Sequence, residues 1–246
     1  MNDVIRQLDA RKSVRAFTDQ PIEEVSVQAI LRAAVMAPTA GNQQLYTILR
    51  MTDPGLLSRL ADACDHQPFI ARGKLVLVFC ADCLKWYDAF ASVGCAPRKP
   101  GPGDLLLAVD DALIAAQNAV TAAESLGIGS CYIGDVMENS AGIRALLRLP
   151  RYVFPAALVV FGYPTVQQRE RRKPLRSPLD QIVQENVYHR RTPEELRTML
   201  APKAGREELE AWLRAFCERK YHSDFALEMN RSVAEYLEDF AAIPGE

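Results

Sequence analysis

Between Asp104 and Leu126 the chain runs for 23 residues without a proline or a glycine. Within it Leu105, Val109, Ala112, Leu113, Ala116, Val120 and Ala123 recur at helical spacing, which predicts one long amphipathic helix. Its apolar stripe is rich in alanine, and small side chains let a neighbouring helix approach closely. A helix with such a face belongs at the centre of a fold or at a subunit interface. The rest of the chain has to be arranged around it.

Shorter patterns flank this helix on both sides. Val4, Ile5 and Leu8 mark an amphipathic stub. Residues 22–37 read as a helix with Ile22, Val25, Ala29, Ile30, Ala33 and Ala34 on one face, stopped by Pro38. Leu45 to Met51, Leu75 to Cys80 and Ala156 to Phe161 read as strands, and a further strand lies within Gly127–Asp135. Short helices are expected over Pro54–Asp65, with Leu56, Leu57, Leu60 and Ala61 inward, and over Ala141–Leu149. Residues 84–103, with Pro97, Pro100, Gly101, Pro102 and Gly103 near their end, read as a loop. Pro178 to Tyr188 reads as extended or irregular. The tail is expected to be helical in two parts, the first carrying Leu209, Trp212, Leu213 and Phe216. The second carries Phe225, Met229, Val233, Tyr236, Leu237 and Phe240. Strands separated by helices throughout place the chain in the α+β or α/β class.

Composition excludes some partners. A net charge of −2 and a pI near 6.0 give no basis for binding nucleic acid or an acidic membrane. Asp3, Arg6 and Asp9 stand where a secretion signal would need an apolar run, and no apolar stretch reaches bilayer length. The expectation is therefore a cytoplasmic protein. Its six cysteines then read as reduced thiols. Cys80 and Cys83 form a CxxC that no second CxxC answers, and His66, His189 and His222 are scattered, so no metal site is expected.

The chemistry concentrates in Arg11-Lys12-Ser13-Val14-Arg15-Ala16-Phe17. In an extended chain Arg11, Ser13 and Arg15 project to one face, two forked cations and a hydroxyl suited to a dianion. Taken alone, the cluster also reads as a solvated charged turn. A second basic cluster holds Arg169, Arg171, Arg172, Lys173 and Arg176. Two polar small-residue loops, 38–44 and 127–135, complete the inventory. Gly127-Ile128-Gly129 follows a helix and precedes a strand, the reverse of the dinucleotide fingerprint.

Four of these stretches, in order, carry a resemblance. Arg11 to Phe17 resembles the R-[RHK]-S-x-R-x-F opening of the FMN-dependent nitroreductase and flavin reductase family. Ala37-Pro38-Thr39-Ala40-Gly41-Asn42-Gln43-Gln44 is similar to the loop after its second helix. Ala115-Ala116-Gln117-Asn118 through Gly134 resembles its central helix and the turn that follows. Gly162-Tyr163-Pro164, the basic segment and Glu185-Asn186-Val187-Tyr188 are similar to the larger NADPH-preferring branch. The likeness covers about residues 3–190.

That resemblance implies an α+β, three-layer fold with a mostly antiparallel central sheet. It also implies an intertwined homodimer with FMN at the subunit interface. Residues 1–190 would form the FMN-binding domain, and 191–246 a helical extension on the dimer or at the active-site mouth. Arg11, Lys12, Ser13 and Arg15 would hold phosphate and ribityl, with Pro38, Thr39, Gly41 and Asn42 approaching from the other subunit. Gln67 would meet the polar edge of the flavin, and Ile133 and Gly134 would lie beside its ring. Arg176 is the late cation by the ungapped run to Asn186, with Arg172 and Lys173 as alternatives. Locally, Ser13 also reads as a cap, Gln67 as a turn residue and Gly134 as a left-handed position. The implied reaction takes hydride from NAD(P)H, NADPH favoured, and reduces nitroaromatics, quinones or free flavin in ping-pong fashion. No protein side chain is then needed as catalyst beyond the flavin. Dehalogenation, ene reduction, flavin destruction and a non-enzymatic flavin-binding module are the alternatives on this scaffold.

Overall fold

The computed structural model describes residues 2–205 and 208–241. Its elements run α1 (Asp3–Ala10), α2 (Glu24–Val35), β1 (Tyr46–Met51), α3 (Pro54–Ala63), β2 (Leu75–Asp82), α4 (Leu84–Ser92) and α5 (Pro102–Ser125). They continue with β3 (Gly129–Ile133), α6 (Ser140–Leu147), β4 (Val153–Gly162), α7 (Val166–Glu170), α8 (Pro193–Ala204), α9 (Leu209–Cys217) and α10 (Asp224–Glu238). Caps explain several of the starts. Asn2 accepts from the Ile5 amide, Asp53 from the Leu56 amide with Pro54 in the first turn, and Asp104 reaches back to the Gly101 amide at 2.8 Å.

The four strands form one antiparallel sheet in the order β1-β2-β4-β3. β2 is buried along its whole length, because both faces of the sheet are covered. Its odd-numbered residues, Leu75, Leu77, Phe79 and Ala81, enter one core with α2 and α5. Val76, Val78 and Cys80 enter the other, with Leu60 and Ala61 of α3 and Ile143 of α6. That period of two is what a strand between two helical layers requires. The α+β, three-layer, antiparallel expectation therefore holds. β4 begins at Val153, three residues before the expected strand, and a register shift between Phe79 and Cys80 accommodates Pro155 there.

Alanine dominates the buried face of α5: Ala108, Ala112, Ala115, Ala116, Ala119 and Ala123 are fully buried. α2 packs closely on it, and Asn118 donates to the Ala33 carbonyl at 3.1 Å. Leu113, placed on this face by the sequence reading, is exposed, as are Leu106, Leu107 and Ile114. In α2 the buried residues are Val27, Ile30 and Ala34. Val25 lies outward, since two residues along a helix reach nearly the opposite side. α5 is the one described helix long and apolar enough to cross a bilayer, a length that Asp110 and Asp111 conceal from a count of unbroken apolar residues. Here it lies against the sheet.

The chain divides into two compact units. One comprises the residues up to Arg171 together with those from Glu228 onward, so Tyr236 of α10 and Phe240 just after it enter the α5 side of the core. The other, residues 172–227, contains α8 and α9. A reciprocal cap of Thr192 and Glu195 starts α8, and Trp212 stacks on Phe216 with ring centroids 5.0 Å apart in α9. Among the described residues the tail thus has three α-helices where the pattern suggested two. Of the expected 191–246 extension, residues 206–207 and 242–246 lie outside the described residues. α4 is a helix in a stretch read as loop.

Candidate functional site

Two glycines let the Arg11–Phe17 segment lie against the sheet. Gly129 and Gly162 face each other across β3 and β4. A Cβ on Gly129 would come within 2.7 Å of Val14, and one on Gly162 within 2.7 Å of the Phe17 ring. The segment bridges at Ser13–Ser130, with the Val14 amide donating to the Ser130 carbonyl at 2.9 Å, and again at Phe17–Pro164. It therefore covers the open edge of β3.

Alternation along this extended piece sorts its side chains as expected. Arg11 and Arg15 bring positive charge, and Ser13 a hydroxyl, to the neighbourhood of the Cys131 thiol of β3. Arg11 also stands over the Tyr132 ring, 5.8 Å from its centroid. Burial raises the Cys131 thiol and pushes the Tyr132 hydroxyl up to about 12, so both are neutral. Lys12 points away from this group. Its ammonium donates to the carbonyls of Arg169 and Arg171, while Arg171 donates to the Ser13 carbonyl at 2.5 Å. Lys12 thus ties the segment to the end of α7.

Two polar atoms in this cradle are buried without a hydrogen-bond partner in the chain, Arg11 Nε and Ser130 Oγ. A buried donor or hydroxyl left unpaired costs about 1–3 kcal/mol, so such atoms point to a partner outside the chain. Two guanidinium groups, the Ser13 hydroxyl and these orphaned atoms suit a phosphate and the hydroxylated chain next to it. The donor set fits the phosphate end of FMN.

β3 carries the next part of the site at its C-terminal end. Ile133 is buried, Gly134 is exposed, and Asp135 receives the Gln67 side-chain amide, which also donates to the Cys64 carbonyl at 3.0 Å. Gly134 has a φ of −79°, which removes the left-handed alternative. A Cβ there would meet only Met137 Cε, at 3.8 Å. Nothing within the chain demands glycine at this exposed position. A flat group resting on the backbone would.

The 38–44 loop is built differently. Asp111 of α5, buried on the alanine face, accepts from the Ala40 amide at 2.9 Å, from the Leu45 amide at 3.0 Å and from the Thr39 hydroxyl. Thr39 Oγ1 in turn accepts from the Gln44 amide at 2.7 Å. Gln44 bonds the Val35 carbonyl, and Trp86 of α4 donates to the Gln43 carbonyl at 2.8 Å. Gly41 and Asn42, both left-handed with φ of 56°, are thrust outward with Pro38 and are exposed. The loop's own polar groups are largely spent inside the chain, leaving its tip to offer backbone and Asn42. Sequence reasoning missed Asp111. Its signal was an acid on the buried register of the helix, four residues before Ala115.

Beside that loop a cavity of about 450 Å3 opens, with Trp86, Tyr87 and Phe90 of α4 facing Arg98 and Leu107. Of the remaining candidates, Arg176 and the alternatives Arg172 and Lys173 all lie in the 172–227 unit, Arg176 on an exposed irregular stretch. Burial pushes the Cys80 and Cys83 thiols up to about 12, which opposes thiolate chemistry. Among the described residues no three His, Cys, Asp or Glu side chains are placed to hold a metal.

Comparison with known proteins identifies the family and the fold. The nitroreductase family model matches residues 8–163, from just before the cationic segment to the Tyr163 that pairs with Thr18. The chain is 33% identical over 194 residues to the FMN reductase (NAD(P)H) of Bacillus subtilis, covering 78% of this chain and 75% of that one. It is 35% identical over 190 residues to the oxygen-insensitive NADPH nitroreductase of Salmonella typhimurium, covering 76% and 75%. The structure of the NADPH:FMN oxidoreductase of Vibrio harveyi, complexed with NAD+, superposes with a TM-score of 0.80 at 26% identity, covering 96% of this chain and 98% of that one. This chain belongs to the nitroreductase family.

Proposed function

We infer that the chain is an FMN-dependent NAD(P)H oxidoreductase of the nitroreductase and flavin reductase type. The carrying observation is the cradle beside β3, where the segment bridges at Ser13–Ser130, Arg11 stands over Tyr132, and Arg11 Nε and Ser130 Oγ are buried without partners. FMN, when bound, supplies the hydride-accepting and hydride-donating chemistry of both half-reactions. The chain holds and orients. Arg11 and Arg15 neutralise the phosphate, Ser13 and Ser130 meet the adjoining polar chain, and Lys12 keeps the segment in place from behind. Ile133 and Gly134 offer a flat backbone surface, and Gln67, its two amide protons held by the Cys64 carbonyl and Asp135, offers its Oε1 as an acceptor at the polar edge. Tyr132 and Cys131 remain protonated and bring no competing charge.

In this reading the acceptor is a nitroaromatic, quinone or free flavin, the electron donor is NADPH in preference to NADH, and the working unit is a homodimer. Three features support the dimer. Leu106, Leu107, Leu113 and Ile114 form an exposed apolar strip on α5, the outer edge of β1 pairs with no described strand, and Pro38, Gly41 and Asn42 stand free at an anchored loop tip. A second copy would cover the first two and receive the third at its FMN. The FMN-binding domain of this reading, residues 1–190, extends past the unit boundary at Arg171 along the chain. Six free cysteines suit a cytoplasmic location.

The test is an absorption spectrum of the purified protein, an FMN titration and anaerobic addition of NADPH or NADH. A flavin spectrum bleached by NADPH is expected. Failure to take up FMN at any concentration overturns the assignment.

A further inference from the structure

α10 returns to the first unit and docks on the turn that follows Gly134. Glu228 accepts from the Asn139 amide at 3.0 Å, Ser232 Oγ accepts from the Ser140 amide at 3.0 Å, and Tyr236 donates to the Ser140 carbonyl at 3.4 Å. Ser140 Oγ donates to Glu235, and Arg144 pairs with Asp239 at 2.6 Å. The far end of the 134–140 turn is therefore clamped. Its near end is fixed by the Gln67–Asp135 bond.

Between these two anchors sits Glu138, 6% exposed, with Oε1 buried and without a hydrogen-bond partner. The charges that act on it are Asp135 on the turn itself, Asp65 after α3 and Glu228 of α10, while Arg144 of the adjoining α6 is paired with Asp239. The Cys64 thiol of α3 senses both Asp135 and Glu138. All three charged neighbours are carboxylates. Arg231, a cation of the same helix, is bonded to Glu228 and Glu235, and Glu228 is held down to about 2, so it remains a fixed negative charge. Burial first, then these neighbours, lift the Glu138 carboxyl from 4.5 to about 7.

We propose that Glu138 is a proton-controlled positioning residue: protonated, it lets the 134–140 turn close between Gln67 and α10, and ionised, it forces that turn open. Resting on the FMN reading above, this couples FMN binding to pH through a side chain outside the phosphate cradle. A protonated carboxyl sits in the acidic pocket without repulsion. The anion stands beside three carboxylates with a buried oxygen unpaired, a state relieved only by moving the turn. The displaced residues would be Gly134, under the flavin ring, and the Gln67–Asp135 pair at its edge.

The sign for stability follows from the raised folded value. The unfolded carboxyl loses its proton first, so the stability due to Glu138 is complete below about 4.5 and lost as pH rises through about 7.

The experiment measures FMN affinity by flavin fluorescence across pH 5.5 to 8.5 for the wild type, Glu138→Gln and Asp65→Asn, with melting temperatures of the FMN-free proteins over the same range. Wild-type affinity should fall severalfold through neutral pH. Glu138→Gln, which mimics the protonated form, should hold the low-pH affinity throughout and lose the matching decline in melting temperature. Asp65→Asn, an exposed change at a left-handed position that asparagine tolerates, should shift the midpoint to lower pH and serves if Glu138→Gln does not fold. A pH-independent wild type, a Glu138→Gln protein that keeps the transition, or an unmoved midpoint in Asp65→Asn overturns the proposal. Absence of FMN binding at every pH would instead refute the flavin reading, and the melting profiles would still decide the role of Glu138.

Discussion

The cradle at residues 11–15 and the loop at 38–44 are both small, polar and read from sequence as parts of one site, yet they are finished in opposite ways. In the cradle Arg11 Nε and Ser130 Oγ are buried and unpartnered. In the loop Asp111 collects two amides and a hydroxyl, and Thr39 and Gln44 close the remaining bonds. The first arrangement leaves polar atoms without a partner in the chain. The second is a scaffold that exposes a tip. Residue type alone does not separate these cases, whereas hydrogen-bond accounting does.

That contrast can be broken by substitution. Asp111→Ala should have the largest effect, because it strands the Ala40 and Leu45 amides next to the core; a loss of about 2–4 kcal/mol of stability is expected in chemical denaturation. If that protein unfolds at the wild-type midpoint, the loop is not a scaffold. Arg11→Ala should do the reverse. Stability should change little, while the FMN dissociation constant rises roughly 10- to 100-fold, the equivalent of one charge-assisted hydrogen bond. A destabilised Arg11→Ala protein with normal FMN affinity would make the cradle structural.

Gly134→Ala sharpens the comparison at the ring end of the site. The added Cβ meets only Met137 at 3.8 Å, so the melting temperature of the FMN-free protein should be unchanged. FMN affinity should drop severalfold if a flat group lies against the backbone, and equal affinity would remove Gly134 from the site. Trp86→Phe should have the smallest effect. It cuts the bond to the Gln43 carbonyl and keeps the aromatic wall, so steady-state kinetics should show a modest rise in acceptor KM with kcat nearly unchanged. A fall in FMN affinity instead would tie α4 to the cofactor.

Much of the framework was legible because its signals are periodic. The alanine stripe of α5 follows from a spacing of 3.6, and the strands expected over Leu45–Met51 and Leu75–Cys80 follow from short apolar runs, the second ending two residues before β2 does. What escaped depends on tertiary partners. Asp111 looks like half of a solvated Asp110–Asp111 pair until the loop amides are seen above it. α4 starts from Asp82, whose Oδ1 accepts from the Leu84 and Lys85 amides, but it bears no fully buried residue, so no apolar stripe announces it. Glu138 is an ordinary acid in the sequence and becomes unusual only when Asp65 and Glu228, remote along the chain, face it. The cradle residues stand out in the sequence through a motif, but their separate hydrogen-bond partners do not. Lys12 reads as a phosphate ligand and turns out to be bound to carbonyls.

The most direct measurement of the central claim compares FMN with riboflavin, which lacks the phosphate, in the wild type and in Arg11→Ala. If Arg11 and its neighbours on β3 hold the phosphate, the wild type should prefer FMN, and Arg11→Ala should lose most of that preference while binding riboflavin as before. An undiminished preference for FMN in Arg11→Ala would contradict it.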